Sequence, residues 1–210
     1  KFKVGGTVNY VNSGGTKVQN GSNLAGIMLT LMRTPPSFDL KNENGGYTDP
    51  ITGQQRQYFF LYDNPYFAAY ESPHTDDVDR VYGNVFADYN PLNWLNISYR
   101  LGTDFYADKR KQIFATGSWQ ATDLSGEIFE NVKRNKEIYS DLLINFSKEF
   151  SIINTSVTLG NNLNHREYQD VFGRGRQLGV PDFYNLRNAA ELHADEYSQY
   201  IRTAALFFIA

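Results

Sequence analysis

The sequence predicts an all-β chain: about six long antiparallel strands of the transmembrane barrel type, long loops and one short helix. Three observations predict it. Residues alternate apolar and polar with period two in segment after segment, the segments exceed ordinary strand length, and the connections between them alternate short and long. Strand side chains point to opposite faces in turn, so such a pattern makes one apolar face and one wet face.

The clearest alternation begins at Leu95. Leu95, Ile97, Tyr99, Leu101, Thr103 and Phe105 share one face, and Asn96, Ser98, Arg100, Gly102 and Asp104 the other. At about 3.3 Å per residue, Leu95–Tyr106 outruns the usual strand of about 5–6 residues. Phe2, Val4, Gly6, Val8 and Tyr10 repeat the pattern, as do Val81, Gly83, Val85, Ala87 and Tyr89. Ile138, Ser140, Leu142, Ile144 and Phe146 follow, then Ile153, Thr155, Val157 and Leu159. Tyr200–Ala210 is more uniformly apolar.

The turn Asn90-Pro91-Leu92-Asn93 and the stretch Ser147–Ser151 are short, whereas 12–77, 107–136 and 161–197 read as long loops. Outer-membrane barrels have short periplasmic turns and longer extracellular loops. On that basis Lys1–Val11 runs outward, 78–89 inward, 94–106 outward, 137–147 inward, 152–160 outward and 198–210 inward.

Composition narrows the classes. Aromatic residues are 15% of the chain, with 15 Tyr and 15 Phe, which suits interfacial girdles. Mean hydropathy is −0.50, and no apolar run is long enough for a membrane-spanning helix. There is no cysteine for disulfides or thiolate zinc sites. The formal net charge of −3, without a basic stripe, argues against nucleic acid as a partner. No signal-peptide pattern stands at Lys1.

Asn64-Pro-Tyr66, Arg80-Val-Tyr-Gly83, Pro91-Leu-Asn-Trp94-Leu95 and Tyr99-Arg-Leu-Gly-Thr-Asp-Phe-Tyr106 occur in that order, followed by Val180-Pro-Asp-Phe-Tyr-Asn-Leu-Arg-Asn-Ala189 and Arg202-Thr-Ala-Ala-Leu-Phe-Phe208. In order and spacing they resemble the SusC/RagA family of TonB-dependent outer-membrane transporters, over nearly the whole chain. The resemblance implies a plugged barrel of about 22 strands. It further implies multi-pass localisation in the outer membrane of a Gram-negative bacterium, contact with outer-membrane lipid, and TonB-energised import of an oligosaccharide or oligopeptide. A SusD-like surface lipoprotein would cover the mouth. The chain departs from the family in length: residues 1–210 read as barrel domain only, without plug or TonB box. Six strands would leave two unpaired edges, which lipid does not tolerate, so an internal piece of a larger transporter is expected.

Candidate sites follow from this frame. Arg80, Asn84, Asp88, Asn96, Arg100 and Asp104, with Asp141 and Asn145, are expected to form a hydrated lumen wall, structural more often than substrate-selective. The aromatic stretch Tyr58–Tyr70 and Trp119 offer stacking surfaces for ligand through Tyr58, Phe59, Phe60, Tyr62, Tyr66 and Trp119; loop-against-loop packing is the plainer reading. Ser22–Arg33 reads as a helix capped by Ser22 and ended by Pro35-Pro36, packed in its loop or touching the lid. Gly45–Pro50 and Thr52-Gly53-Gln54 read as hairpin tips.

Glu71, Asp76, Asp77 and Asp79 raise calcium, but their spacing is not that of an EF-hand, and a solvated charge run is favoured. His74, His165 and His193 are isolated, so no metal is expected. Gly173-Arg-Gly-Arg176 lacks the context of a phosphate loop and reads as a flexible basic loop. No paired carboxylates or nucleophile elbow suggest an enzyme, and no cofactor is expected. Two classes remain: an importer of a large nutrient, or a non-transporting barrel subunit of an envelope complex. A soluble carbohydrate-binding β-sandwich would also alternate, but strand length and the connection pattern oppose it.

Overall fold

The structure, a computed structural model, describes residues 1–19, 22–151 and 153–210. Six strands form one antiparallel sheet in chain order: β1 (Phe2–Lys17), β2 (His74–Leu92), β3 (Leu95–Phe114), β4 (Glu127–Phe150), β5 (Ile153–Leu178) and β6 (Ala189–Ile209). The expected start of the fifth strand at Ile152 lies outside the described residues. Two short helices, α1 (Ile27–Arg33) and α2 (Pro65–Tyr70), stand between β1 and β2. Among the described residues no helix is long and apolar enough to cross a membrane.

Every strand aligns with its neighbour so that the alternating faces coincide. Phe2 opposes Tyr89, Tyr89 opposes Ile97, Ile97 opposes Ile144, Ile144 opposes Leu159 and Leu159 opposes Phe208. Because side-chain period is two, one such match fixes the face of each whole strand. One continuous apolar band therefore runs from Phe2–Tyr10 on β1 to Ala204–Phe208 on β6. Its upper border descends across the sheet: Phe105 borders it on β3, whereas Lys136, directly opposite Phe105, already lies beyond it on β4. A sheet whose strands are tilted in the membrane shows this slant.

The strands are much longer than alternation indicated. The loops expected over 12–77, 107–136 and 161–197 shrink to 18–73, 115–126 and 179–188. Beyond the band polar and apolar residues no longer alternate regularly between the faces, so hydrophobic periodicity fades while the backbone ladder continues. Gly173–Arg176, expected as a flexible loop, lies inside β5 and pairs with Glu127–Glu130. Asn90-Pro91-Leu92, expected as a turn, belongs to β2, and the register shifts between Tyr89 and Leu92. Proline cannot donate to the ladder, and an irregularity beside it accommodates the lost bond.

The helix expected over Ser22–Arg33 is confined to Ile27–Arg33. Ser22 Oγ instead accepts from the N–H groups of Leu24 and Ala25, forming a turn before the helix. Of the two hairpin tips expected at Gly45–Pro50 and Thr52-Gly53-Gln54, the second lies within a small hairpin closed by a bridge between Thr48 and Gln55, and Gly45 and Gly53 turn at φ 78° and 70°.

On the polar face three glycines lie directly opposite aromatic residues: Gly5 against Phe86, Gly102 against Tyr139 and Gly160 against Phe207. Each ring occupies the space a β-carbon would take. Gly102→Val is therefore expected to destabilise the sheet by about 1–3 kcal/mol through overpacking. Denaturant unfolding in lipid checks this, and Gly102→Val/Tyr139→Ala is expected to recover part of the loss.

Candidate functional site

The expected wall residues fall on one face of β2 and β3, the face opposite the apolar band. On β2 these are Arg80, Asn84 and Asp88, opposite Tyr106, Gly102 and Ser98; on β3 they are Asn96, Arg100 and Asp104. Arg80 grips Asp104 with two donors, Nε at 2.9 Å and Nη2. Ser98 Oγ donates to Asp88 at 2.6 Å. Asn96 Nδ2 donates to Asn90 Oδ1 at 2.8 Å, which places it at the short turn. Arg100 lies opposite Asp141, whose carboxylate accepts from Asn162. Asn145 is opposite Asn96 on the same face.

Towards the long-loop end this face becomes an ionic network. Glu137 accepts from Asn164 at 2.7 Å and Arg166 at 3.1 Å. Asp170 pairs with Lys133 and accepts from Asn131. Glu127, its side chain 2% exposed, is held by Arg174 and Arg176, the latter at 3.1 Å. Arg174 also lies over the Phe129 ring, 5.1 Å from its centroid. The sequence pattern missed this clamp because its partners are far apart in the chain and each looked like a loop charge.

The acidic run does not form a cation site. Asp76 faces the polar side and pairs with Lys17 at 2.7 Å, whereas Asp77 and Asp79, one and three positions on, occupy the opposite face with Asn12 and Tyr10. Strand alternation thus splits the carboxylates that the sequence places together. Among the described residues no cluster of carboxylates and histidines suits a metal.

The chain between β1 and β2 folds over the polar face at the far end of β3. Gln112 donates to Gln19, whose own amide donates to the carbonyls of Ser72 and Ile113. Ala25 packs with Phe114 and Ala121 in a small apolar core. Asn64 caps α2 by accepting from Tyr66 and Phe67, with Pro65 at the first helical position.

Asp63, 1% exposed, joins this cap to the β3–β4 loop: it accepts from Ser118 Oγ, from the Trp119 N–H at 2.8 Å and from Gln55 at 2.8 Å. Burial pushes its carboxyl above the ordinary range, against those hydrogen bonds. A raised folded value means the folded cap binds the proton more tightly than the open one. The cap should therefore tighten on acidification through the range just above the ordinary carboxylate value and loosen as pH rises. Limited proteolysis of residues 18–73 against pH checks this, and Asp63→Asn should flatten the profile. Tyr47 is pushed up to about 12 by donating to Glu71, and Tyr184 to about 12 by burial.

The candidate aromatic residues divide into groups. Phe59 packs on Phe60 and Tyr62 at centroid distances of 4.9 and 5.2 Å, and Phe60 meets Trp119 edge-on at 5.7 Å. Trp119 Nε1 donates to Gln57 at 3.3 Å. Tyr58 instead contacts Phe38, and Tyr66 lies under the Lys41 ammonium. Loop-against-loop packing thus accounts for much of their surface, yet Phe60 remains 60% exposed and Tyr58 54% exposed. The arrangement presents partly exposed aromatic faces at the long-loop end of the polar, ion-paired face of the sheet.

No protein-family model matches the sequence, and no curated protein does. Solved structures do match. A structure of the RagAB peptide transporter aligns with a TM-score of 0.61 and 15% identity, covering 99% of this chain and 24% of that one. Structures of the RagAB peptide importer in the open-open and closed-closed states align with TM-scores of 0.52 each, at 15% and 17% identity. Each again covers 99% of this chain and 24% of the other, so this chain spans about a quarter of their length. The chain has the fold of a section of an outer-membrane transporter barrel, the fold expected from its resemblance to the SusC/RagA family.

Proposed function

We propose that the chain forms part of the wall and extracellular mouth of a TonB-dependent outer-membrane importer of a large nutrient. The observation that carries this reading is the sorting of the sheet into one mainly apolar band and one ion-paired polar face, with a folded cap over the end of the polar face. In a closed barrel the band meets lipid, and Arg80, Asn84, Asp88, Asn96, Arg100 and Asp104 line the lumen. The edges of β1 and β6 pair with further strands, because lipid leaves no unpaired backbone satisfied. TonB supplies energy through a segment outside residues 1–210, and a SusD-like lipoprotein closes over the cap.

The cargo is an oligopeptide, a choice supported by likeness to the RagAB peptide importers; an oligosaccharide is the alternative that the exposed aromatic residues would also suit. Uptake of labelled oligopeptides and oligosaccharides by cells carrying the full transporter decides between them. Phe60→Ala/Trp119→Ala is expected to weaken cargo binding about tenfold or more, since stacking surfaces lost at a contact cost roughly 0.5–1.5 kcal/mol each beyond their buried area. Uptake that persists unchanged after deletion of the TonB-contacting segment would overturn the importer reading and favour a non-transporting barrel.

A further inference from the structure

On the face that carries the apolar band, a groove of about 380 Å³ runs over β2 and β3, bounded by Val8, Val81, Val85, Leu101 and Ile138. Gly83, directly paired with Thr103 at its floor, carries no side chain where Val81 and Val85 on the same strand face carry branched ones. Just beyond its end, on the long-loop side, three cations share the same face. Lys136 is one step along that face from Ile138, Arg134 one step further, and Lys109 lies opposite Val132, diagonal to Arg134. Same-face neighbours of this kind are roughly 7–8 Å apart, and like charges at that range are destabilising.

All three side chains are exposed and, among the described residues, none joins an ion pair. On the polar face Lys17, Arg80, Arg110, Lys133, Arg166, Arg174 and Arg176 hold carboxylates, whereas Lys3 and Arg100 join no ion pair among the described residues; on the band's own face Lys111 pairs with Glu130. Carboxylates are present beside the three cations but do not pair with them. Asp77, directly opposite Lys109, and Asp79 accept from Asn12 and Tyr10, and Glu167 lies directly opposite Lys136 on β5; neither Lys109 nor Lys136 closes an ion pair with the carboxylate across from it. Exposed cations at the border of an apolar band leave donors open to an anion from outside the chain.

We propose that this face binds a phosphate-bearing, acylated lipid of the extracellular leaflet, its chain in the groove over Gly83 and Thr103 and its phosphate against Lys109, Arg134 and Lys136. The proposal rests on the reading that the apolar band meets lipid. Neither half suffices alone, because every outward surface touches hydrocarbon and a lysine pair is common. It is the continuity of groove and cation cluster that matches an anionic amphiphile.

The test uses the complete transporter in phosphatidylcholine nanodiscs doped with lipid A, with native mass spectrometry reading the lipid retained on transfer to detergent. The parent is expected to retain lipid A in preference to phosphatidylcholine. Lys109→Gln/Arg134→Gln/Lys136→Gln should reduce that retention about tenfold or more, while Lys111→Gln/Glu130→Gln, which removes the neighbouring ion pair of 3.4 Å, should not. Thr103→Phe, which fills the groove, should weaken retention with the cations intact. Inorganic phosphate should not displace the lipid. Equal retention by parent and triple variant, or displacement by phosphate alone, overturns the lipid site. A transporter that inserts yet retains no lipid A fails this proposal only, whereas one that does not insert fails the barrel reading beneath it.

Discussion

Leu101→Arg is expected to destabilise the inserted barrel by about 2–4 kcal/mol, the cost of an arginine on the lipid face near the bilayer midplane. Leu101 lies midway along the apolar band, in a row with Gly6, Val85, Ser140, Leu163 and Ala204. An arginine there has no carboxylate on its own face within the band, and its length carries it only part of the way to either interface. Ser98→Arg is the matched control. Ser98 lies three positions away on the opposite face, and its hydroxyl donates to Asp88, so an arginine gains a partner in a hydrated setting. Denaturant titration of the complete transporter refolded into lipid reads both variants. Equal losses at the two positions would undo the assignment of faces, and with it the barrel.

Removing both arginines from the Glu127 clamp is the second large effect. In Arg174→Ala/Arg176→Ala the carboxylate of Glu127, 2% exposed, loses both cations. Stripping the partners from a buried charge costs about 3–5 kcal/mol. The arginine side chains are themselves 32% and 33% exposed, so water screens part of the interaction, and about 3 kcal/mol is the expected loss. The damage should be local, fraying the far ends of β4 and β5 where Glu127 opposes Arg176. Hydrogen exchange there should quicken while the membrane-level rows stay protected. Adding Glu127→Gln should restore most of the loss, since the uncompensated charge is then gone. If the double and triple variants unfold alike, the buried carboxylate is not the source of the cost.

The two predictions differ in how much of their basis was legible in the sequence. Leu101 could be assigned from Leu95–Phe105 alone, because a period of two is a local property of consecutive residues. Strand number and antiparallel order followed in the same way, from the succession of such segments and the short turns between them. The long-loop ends were not legible. Lys133, Arg134, Asn135 and Lys136 show no hydrophobic period, and nothing local distinguishes a strand with two wet faces from a loop. Gly173–Arg176 was misread for that reason.

The candidate site divides along the same line. That Arg80 and Asp104 share a face follows from their places within two alternating strands. That they form a two-donor pair depends on the β2–β3 register, which sets Tyr82 opposite Asp104 and Arg80 one step away. The aromatic richness of 58–70 was plain, but its division into a Phe59–Phe60–Tyr62–Trp119 cluster and separate contacts for Tyr58 and Tyr66 was not. The sequence did not single out Asp63, and its role in tying two loops together requires Ser118 and Trp119 from the β3–β4 connection.

The sequence by itself determined which residues meet apolar and which meet polar surroundings, because alternation is written into adjacent positions and needs no knowledge of neighbours. Tertiary structure alone decided how far the strands run, which charges pair, and where cations stay unpaired. Those depend on register, and register brings together residues such as Glu127 and Arg174 that are distant in the chain. The physical reason is that a strand's face costs or gains free energy one residue at a time, whereas an ion pair exists only once two strands are aligned.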